Sequence, residues 1–517
     1  MLPARQQVAQ STSLPAPIAG LNARDSLALM RETDAIVLDN WFCTTTSVDL
    51  RKGYTSHATF TGNCETVISY NAGSTETFVA VDTTDNAIID ATSGGAISTP
   101  VVGGSGPTIQ SLTNVRFDYI NHSVAGTQYI VLVNGADTIL QYNGTTWAQN
   151  ALTGPTHSDI FTIASYAERI WLAESDFTVW YGGVNAIAGA FTSLDLGALF
   201  KEGGSLSNMI TYSADTGSLL ADFIAFVSTE GEIVVFSGTD PSSASTWSRV
   251  AHFRVGRPVT TGNRAWTKFA NDAVLLTSDG LMPIATAVMK DRADSSLAVT
   301  DRIRKDFNSD VSMFGANFGW SVVLHPEGQK LLINVPAVAN DSSYQYVMNT
   351  QTKAWSTFGK FASSWDAFCF ETTKDTLWWG GNGVLAQADS GLDDDGSAII
   401  FDAKQAFSYF GSRGQQKQMG MMRPILEIDG PITLKLGANV DYQDTVASST
   451  ISIEGNAGDP WETSWDVAWT GASIIYNRWH SLRGFGFAIA PRISGNADSV
   501  NLSWSATDYT YEVGRIL

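Results

Sequence analysis

Residues 129–147 read YIVLVNGADTILQYNGTTW: apolar stretches divided by Asn-Gly dipeptides and closed by an aromatic. Ile130, Val131, Leu132 and Val133 form an unbroken apolar, largely β-branched run. Successive strand side chains point to opposite faces, so such a run suits an inner strand covered on both. Asn134-Gly135 predicts a tight turn, because both positions accept positive φ. Ile139, Leu140 and Tyr142 carry the return strand, Asn143-Gly144 turns the chain again, and Trp147 supplies a large apolar anchor.

Variants of this unit recur on both sides of it. Val67–Tyr70, Thr77–Val81 and Ala87–Asp90 precede it; Phe161–Gly183, Phe223–Trp247, Ala273–Val288, Trp320–Phe358 and Asp366–Ile400 follow. Each joins apolar strands through Gly, Asn or Asp turns, and several end in an aromatic. The spacing is irregular, at about 40–50 residues, which is the length of one four-stranded propeller blade. The fold class expected is all-β: a β-propeller of about six or seven blades over 58–400. Sheets set around a channel leave only short exposed edges, so many short strands stay soluble. An array of β-sandwiches is the competing architecture.

One segment breaks the strand pattern. In LAVTDRIRKDFNSD (297–310), Val299, Ile303 and Phe307 recur every four residues and Thr300 stands at an N-cap position. A helix from Thr300 to about Asn308 is expected, its apolar stripe docked on a propeller face. The ends of the chain differ again. Residues 1–57 mix polar and apolar residues without a clean period and read as an extended arm, whose Arg24-Asp25 and Arg51-Lys52 need partners or water. Residues 401–517 alternate through Ile425–Ile428, Ile432–Leu436, Val440–Tyr442 and VNLSWSATDYTYEV (500–513). They predict a C-terminal β-domain, completed by the arm as a β-rich platform. Trp461, Trp465 and Trp469 are read as strand despite their helical spacing.

The 517 residues include 31 Lys+Arg and 51 Asp+Glu, a formal charge of −20. That balance disfavours a protein that wraps or reads nucleic acid, which needs cations to neutralise phosphates. It does not disfavour a pore through which DNA slides. The N-terminus lacks an apolar leader core and no apolar run is long enough for a transmembrane helix, so no membrane span and a reducing cytoplasm are expected. Cys43, Cys64 and Cys369 are too scattered for a disulfide framework or a metal motif and read as small buried hydrophobes. The histidines (His57, His122, His157, His252, His325, His480) show no metal-ligand spacing, and HExxH, GxSxG and GxxxxGK[ST] are missing from the sequence. No catalytic, cofactor-binding or metal-binding residue is assigned, and the chain is read as no enzyme.

Two acidic stretches invite a functional reading. Ser213-Ala-Asp215-Thr-Gly217 is half of an Asp-box turn, followed by Leu219-Leu220 rather than Thr-Trp, and reads as a structural turn. Asp393-Asp394-Asp395-Gly396 offers carboxylates suited to a hard cation, against the simpler reading of a solvated turn. Two basic groups, Arg302, Arg304 and Lys305 on the helix and Arg413, Lys417 and Arg423 in the C-terminal region, face either DNA, an acidic neighbour or partners within the chain.

The arm carries a resemblance. GLNARDSLALM (20–30), DAIVLDNWF (34–42) and VDLRKGY (48–54) are similar to the opening of the tail nozzle or tail hub proteins of short-tailed phages, also called tail tubular protein B or packaged-DNA stabilisation proteins. That pattern runs from Gly-Leu-Asn-x-Arg-Asp through Asp-Asn-Trp-Phe to Leu-Arg-x-Gly-Tyr. A Pro often follows the Trp-Phe, where Cys43 stands, and a Pro is common at the position of Arg31. The close from Tyr511 to Leu517 is similar to the family's ending. The resemblance implies a homo-hexameric ring in the virion tail, assembled in the host cytoplasm. Propellers would stand outside and the platform around the lumen. The ring would seat on a tail adaptor, anchor fibres or spikes, retain packaged DNA and release it on host contact. An acidic wall fits, since its field reaches only about 8 Å at physiological salt and keeps DNA from sticking. Loops 313–320 (MFGANFGW) and 411–422 are candidate gates. The alternatives are a carbohydrate-binding or glycan-hydrolysing propeller, and a portal-proximal adaptor of the same virion, which the all-β pattern disfavours.

Overall fold

The computed structural model describes every residue except 1–8, 73–74, 85, 98–108, 110, 216–219, 290–294, 362–364, 448, 455–472 and 515–517. Between Asp118 and Phe358 the recurring unit folds into five consecutive up-and-down antiparallel blades. The first comprises Asp118–Val124, Thr127–Val133, Leu140–Tyr142 and Trp147–Gln149. The second spans Ile160–Tyr166 to Thr192–Asp195 and the third Leu206–Asp215 to Trp247–Arg254. The fourth has three strands, Trp266–Phe269 to Gly280–Pro283, and the fifth runs from Ser321–His325 to Trp355–Phe358.

The unbroken apolar runs now have a cause. Ile130 and Leu132 pack against Ile68, Tyr70 and Phe117, whereas Val131 and Val133 pack against Ile163, Ile170 and Leu172 of the next blade. Ile224 and Phe226 likewise join the second blade, while Ala225 and Val227 join the fourth. A strand pressed between two neighbours buries both faces, and period two sends alternate residues to alternate interfaces. Each fully buried Val, Leu or Ile contributes about 1.5–3 kcal/mol.

The expected six or seven blades are corrected to five. Residues 67–90 and 366–388 look like two further units, but they form one composite sheet. The strand Tyr54–Ala72 is 19 residues long. Its first half pairs with Thr376–Ala388 and its second half with Thr75–Asp82. Strands from opposite ends of the propeller sequence thus share one sheet, which stands between the fifth blade and the first. Cys64 and Cys369 meet there, with Cys369 Sγ 3.4 Å from the Cys64 carbonyl oxygen. All three cysteines are buried and free.

The opening hairpin also differs in detail. Leu132 pairs with Leu140, so 134–139 form a wider loop than a tight Asn-Gly turn. The Asn134 side chain accepts the backbone N–H groups of Ala136 and Asp137, and Gly135 has φ +69°. This Asx geometry competes successfully with the two-residue turn. At the second turn Tyr142 pairs with Trp147, and their rings stack at 4.7 Å. Trp147 is buried, as its anchoring role requires.

The helix begins as a 3-10 turn, Asp301–Ile303, and continues as an α-helix, Arg304–Phe314, beyond the expected end at Asn308. Thr300 does not cap it; its hydroxyl accepts the N–H of Leu281 instead. Ile303 and Phe307 dock among Leu276, Leu281, Trp320 and Trp355 of the fourth and fifth blades. A second short helix, Ile284–Met289, replaces the expected strand end. Asp272 accepts the N–H groups of Ala285 and Thr286 at its start, a cap supplied from outside the segment.

Both ends of the chain meet in sheets. Gln10–Pro15 pairs with Leu502–Val513, which also pairs with Lys417–Ile428 and Val48–Leu50. Asp34–Asp39 bonds to the fifth blade at Thr357 and to Ile399–Gln405, so a ten-stranded sheet runs from that blade into the C-terminal strands. The expected strand Val440–Tyr442 is instead the end of Ile432–Val440, followed by a turn with positive φ at Asp441 and Tyr442. Trp461, Trp465, Trp469 and the last three residues lie outside the described residues.

Candidate functional site

The first strands of successive blades lie side by side and surround an axial space. The 3-10 turn Gly262–Ala265, just before the fourth blade, reaches across it. Asn208 of the third blade holds this turn through the Gly262 carbonyl at 2.8 Å. Asn263 donates to the carbonyls of Tyr119 and Ile163, and its N–H points to Asp118 Oδ2 at 3.3 Å.

What remains open is a cavity of about 360 Å³, whose wall includes Asp118, Tyr119, Arg264, Trp266, Ser321 and Glu371. A neighbouring cavity of about 500 Å³ shares Asn121, Asn263, Trp266 and Thr267 with it. Asp118 accepts the Thr162 hydroxyl at 2.6 Å, and Glu371 is hydrogen-bonded by Tyr119 and Ser69. Burial nonetheless dominates, pushing Glu371 up to about 7 and Asp118 up to about 6. Both carboxyls therefore exchange protons near neutrality.

Arg264 is the cation of the cavity, and burial lowers its pKa. Its Nη2 donates to the Glu65 carbonyl at 2.5 Å and the Thr66 hydroxyl at 3.0 Å. Phe318, from candidate gate loop 313–320, sits between Arg264 and Arg116, whose guanidinium carbons lie 4.7 and 3.7 Å from the ring centre. Arg116 in turn donates to Glu65 at 2.7 Å. Arg264 Nη1, Trp266 Nε1 and Ser321 Oγ are buried without a hydrogen-bond partner among the described residues. Native proteins leave few such atoms unsatisfied. A larger cleft of about 620 Å³ lies beside the arm, lined by Arg51, His325, Lys330 and Asp389 among others. Its charges face one another, with Asp389 Oδ2 2.5 Å from Lys330 Nζ and 3.2 Å from His325 Nδ1.

The acidic and basic groups singled out in the sequence lie elsewhere. Asp394 receives Arg51 through two bonds of 2.7 and 2.6 Å. Asp393 accepts from Ser499 and the Gly396 N–H, and Asp395 from the Ser56 N–H, so the three carboxylates serve separate partners. Ser213 donates to Asp222 within the third blade, and Thr216 to Leu219 lie outside the described residues. Arg302 pairs with Asp34, Arg304 with Asp301, Arg423 with Asp508, and Lys305 is exposed. Arg413 donates to the Ala28 carbonyl and the buried Lys417 to that of Phe487. The cavity residues were missed. Their only sequence signal is a charge set within an apolar strand, as in AFCFETT (367–373), or beside an aromatic, as in GNRAW (262–266).

Several residues of the arm stretches 20–30, 34–42 and 48–54 are fastened, whereas Leu27 and Leu29 are exposed. Asn22 donates to Asp25 and Asp34, Arg24 bonds Asp25 and Asp301, and Asp39 accepts Thr357 and the N–H groups of Lys360 and Phe361. Asn40, at φ +63°, donates to the Ile400 carbonyl and accepts from Arg51. Trp41 is fully buried against Phe401 and Trp504.

No family model matches this sequence, and no curated protein matches it. Among solved structures, the computationally designed Ika8 protein aligns at TM-score 0.36 and 9% identity over 71% of this chain and 98% of its own. YCF48 bound to D1 peptide aligns at TM-score 0.35 and 12% identity, over 71% and 99%. A glycoside hydrolase family 43 arabinoxylan arabinofuranohydrolase from Bacillus subtilis, in complex with cellotetraose, aligns at TM-score 0.26 and 10% identity, over 92% and 95%. Likenesses this distant carry nothing about activity.

Proposed function

We propose that this chain is a structural, non-catalytic subunit of a short-tailed phage tail, forming a homo-hexameric nozzle or hub ring at the distal end of the DNA channel. The supporting observation is the arm. Within the Gly-Leu-Asn-x-Arg-Asp, Asp-Asn-Trp-Phe and Leu-Arg-x-Gly-Tyr stretches (20–25, 39–42, 50–54), Arg24, Asp39, Asn40 and Arg51 bond to Asp301, Thr357, Ile400 and Asp394, and Trp41 packs against Phe401 and Trp504. Gly20 has φ +78°, and a Cβ there would stand 2.5 Å from the Trp355 carbonyl oxygen. Arg51 closes on Asp394 from 343 residues away. Residues shared with the family are thus those that specify how the arm, the fifth blade and the C-terminal strands join. In this reading the C-terminal sheets form the platform around the lumen, a tail adaptor seats the ring, fibres or spikes attach laterally, and viral DNA passes without sequence-specific contact.

Negative-stain microscopy of the purified chain, alone and with its adaptor, tests the reading. The expected result is a six-fold ring that adaptor recruits or stabilises. A monomer that no adaptor complex recruits overturns it.

A further inference from the structure

We propose that Cys64 and Cys369 form a reversible disulfide when the folded chain meets a peroxide, locking the composite sheet that joins the two ends of the propeller sequence. The proposal does not rest on the ring assembly, since it uses only one sheet within one chain.

The composite sheet builds the pair. Cys64 lies where Tyr54–Ala72 passes from Thr376–Ala388 to Thr75–Asp82, and Cys369 lies in Ala367–Thr373 opposite Gly380. Gly380 has no side chain, and both thiols occupy the space this leaves. A Cβ on Gly380 would stand 2.5 Å from Cys64 Sγ and 2.9 Å from Cys369 Sγ, so the two sulfurs crowd one point. Cys369 Sγ also lies 3.4 Å from the Cys64 carbonyl oxygen. What separates this pair from an S–S bond of about 2 Å is a local approach of the sulfurs.

The two thiols differ in the way the chemistry needs. Cys64 is fully buried and keeps its proton, since contact with Cys369 and burial both raise its pKa. Burial raises Cys369 too, but Cys64 and the Arg264 cation outweigh it and bring it below the ordinary thiol value. Cys369 belongs to the wall of the axial cavity and is 4% exposed. Hydrogen peroxide is small and neutral, so it enters such a space without the desolvation cost of an ion.

The Cys369 thiolate attacks one peroxide oxygen. The O–O bond breaks, hydroxide leaves and takes up a proton, and Cys369 becomes a sulfenic acid. Cys64 then attacks that sulfur. The S–O bond breaks, the S–S bond forms, and the Cys64 proton leaves with the hydroxyl as water. The two thiols lose two electrons, and one hydrogen peroxide becomes two waters. The cross-linked residues are 305 apart in sequence, and long loops constrain the unfolded chain most. Cys43 supplies the contrast. It is buried in a different core with no other cysteine, its Sγ 3.6 Å from the Pro17 carbonyl oxygen, and burial pushes its thiol up.

The test treats the folded full chain with hydrogen peroxide, alkylates the remaining thiols after unfolding, and maps the peptides without reduction. A linked peptide containing Cys64 and Cys369 is expected, with Cys43 alkylated. The melting temperature should rise by several degrees, and dithiothreitol should reverse both changes. In Cys64→Ser, Cys369 should stop at the sulfenic acid and be captured by dimedone. In Cys369→Ser, Cys64 should stay alkylatable. The parent chain's map decides the matter even where a variant fails to fold. The proposal is overturned if Cys64 and Cys369 both stay alkylatable in the treated parent, if the link joins Cys43 or forms only between chains, or if the linked chain melts no higher. Ring formation is scored separately, so an assembled ring without the cross-link defeats this inference alone.

Discussion

The interface between the first two blades and the strap formed by residues 20–54 hold the molecule by opposite means. Between the blades, Val131, Val133, Ile163, Ile170 and Leu172 are buried with no charge among them. In the strap, Asp34, Asp39, Asn40 and Arg51 are buried and polar, and each finds a partner far along the chain. Apolar interfaces of this kind accept many residues of similar size. Buried polar pairs tolerate few partners, because a missing one leaves a desolvated charge. The blades are therefore held by apolar burial, and the strap by polar partners whose loss leaves a buried group unpaired.

The largest effects should separate the two. Arg51→Ala strands Asp394 and should cost about 3–5 kcal/mol in urea denaturation. An Arg51→Met, Asp394→Leu double variant should recover most of that loss if the pair serves specificity. Trp147→Ala in the first blade should also cost about 3–5 kcal/mol, with no partner substitution able to restore it. A change within about 0.5 kcal/mol would mean that Trp147 is no anchor.

Gly20→Ala comes next. Its φ of +78° and the close Trp355 backbone should cost about 1–3 kcal/mol, whereas Gly126→Ala, with nothing within 4 Å, should cost less.

Titration gives a signed contrast. Asp118 and Glu371, raised by burial to about 6 and about 7, hold protons longer in the native state than in the unfolded chain. Stability should therefore fall as pH rises from about 4 to 7, which denaturation measured across that range would read. Asp118→Asn with Glu371→Gln should flatten that slope. Burial raises Asp389 too, but Lys330 and His325 outweigh it and hold it at about 2. Its contribution is present above the usual carboxylate value and should vanish as pH falls toward 2. The smallest effect is expected at the exposed Arg254–Glu202 pair, where Arg254→Ala should shift stability by under about 0.5 kcal/mol.

The blades were readable because period-two alternation and Gly, Asn and Asp turns act between near neighbours. The burial of Trp147 followed from that reading, and the docked stripe of Ile303 and Phe307 followed from their four-residue spacing. The helix Ile284–Met289 did not, since its cap, Asp272, lies across a hairpin. Nor did the cavity: Asp118, Arg264, Ser321 and Glu371 are spread over some 250 residues and share no motif.

Sequence alone determined the strand runs, their buried double-faced character and the arm that must be pinned. Only the tertiary structure decided that Tyr54–Ala72 joins Thr376–Ala388, so that two apparent blades became one composite sheet. The reason is physical. Alternation and turn chemistry are properties of a few adjacent residues, whereas the choice of strand partner balances a long loop closure against burial of whole faces. The same distant choice gathers the polar groups of the axial cavity, where desolvation gives two ordinary carboxyls their raised proton affinity.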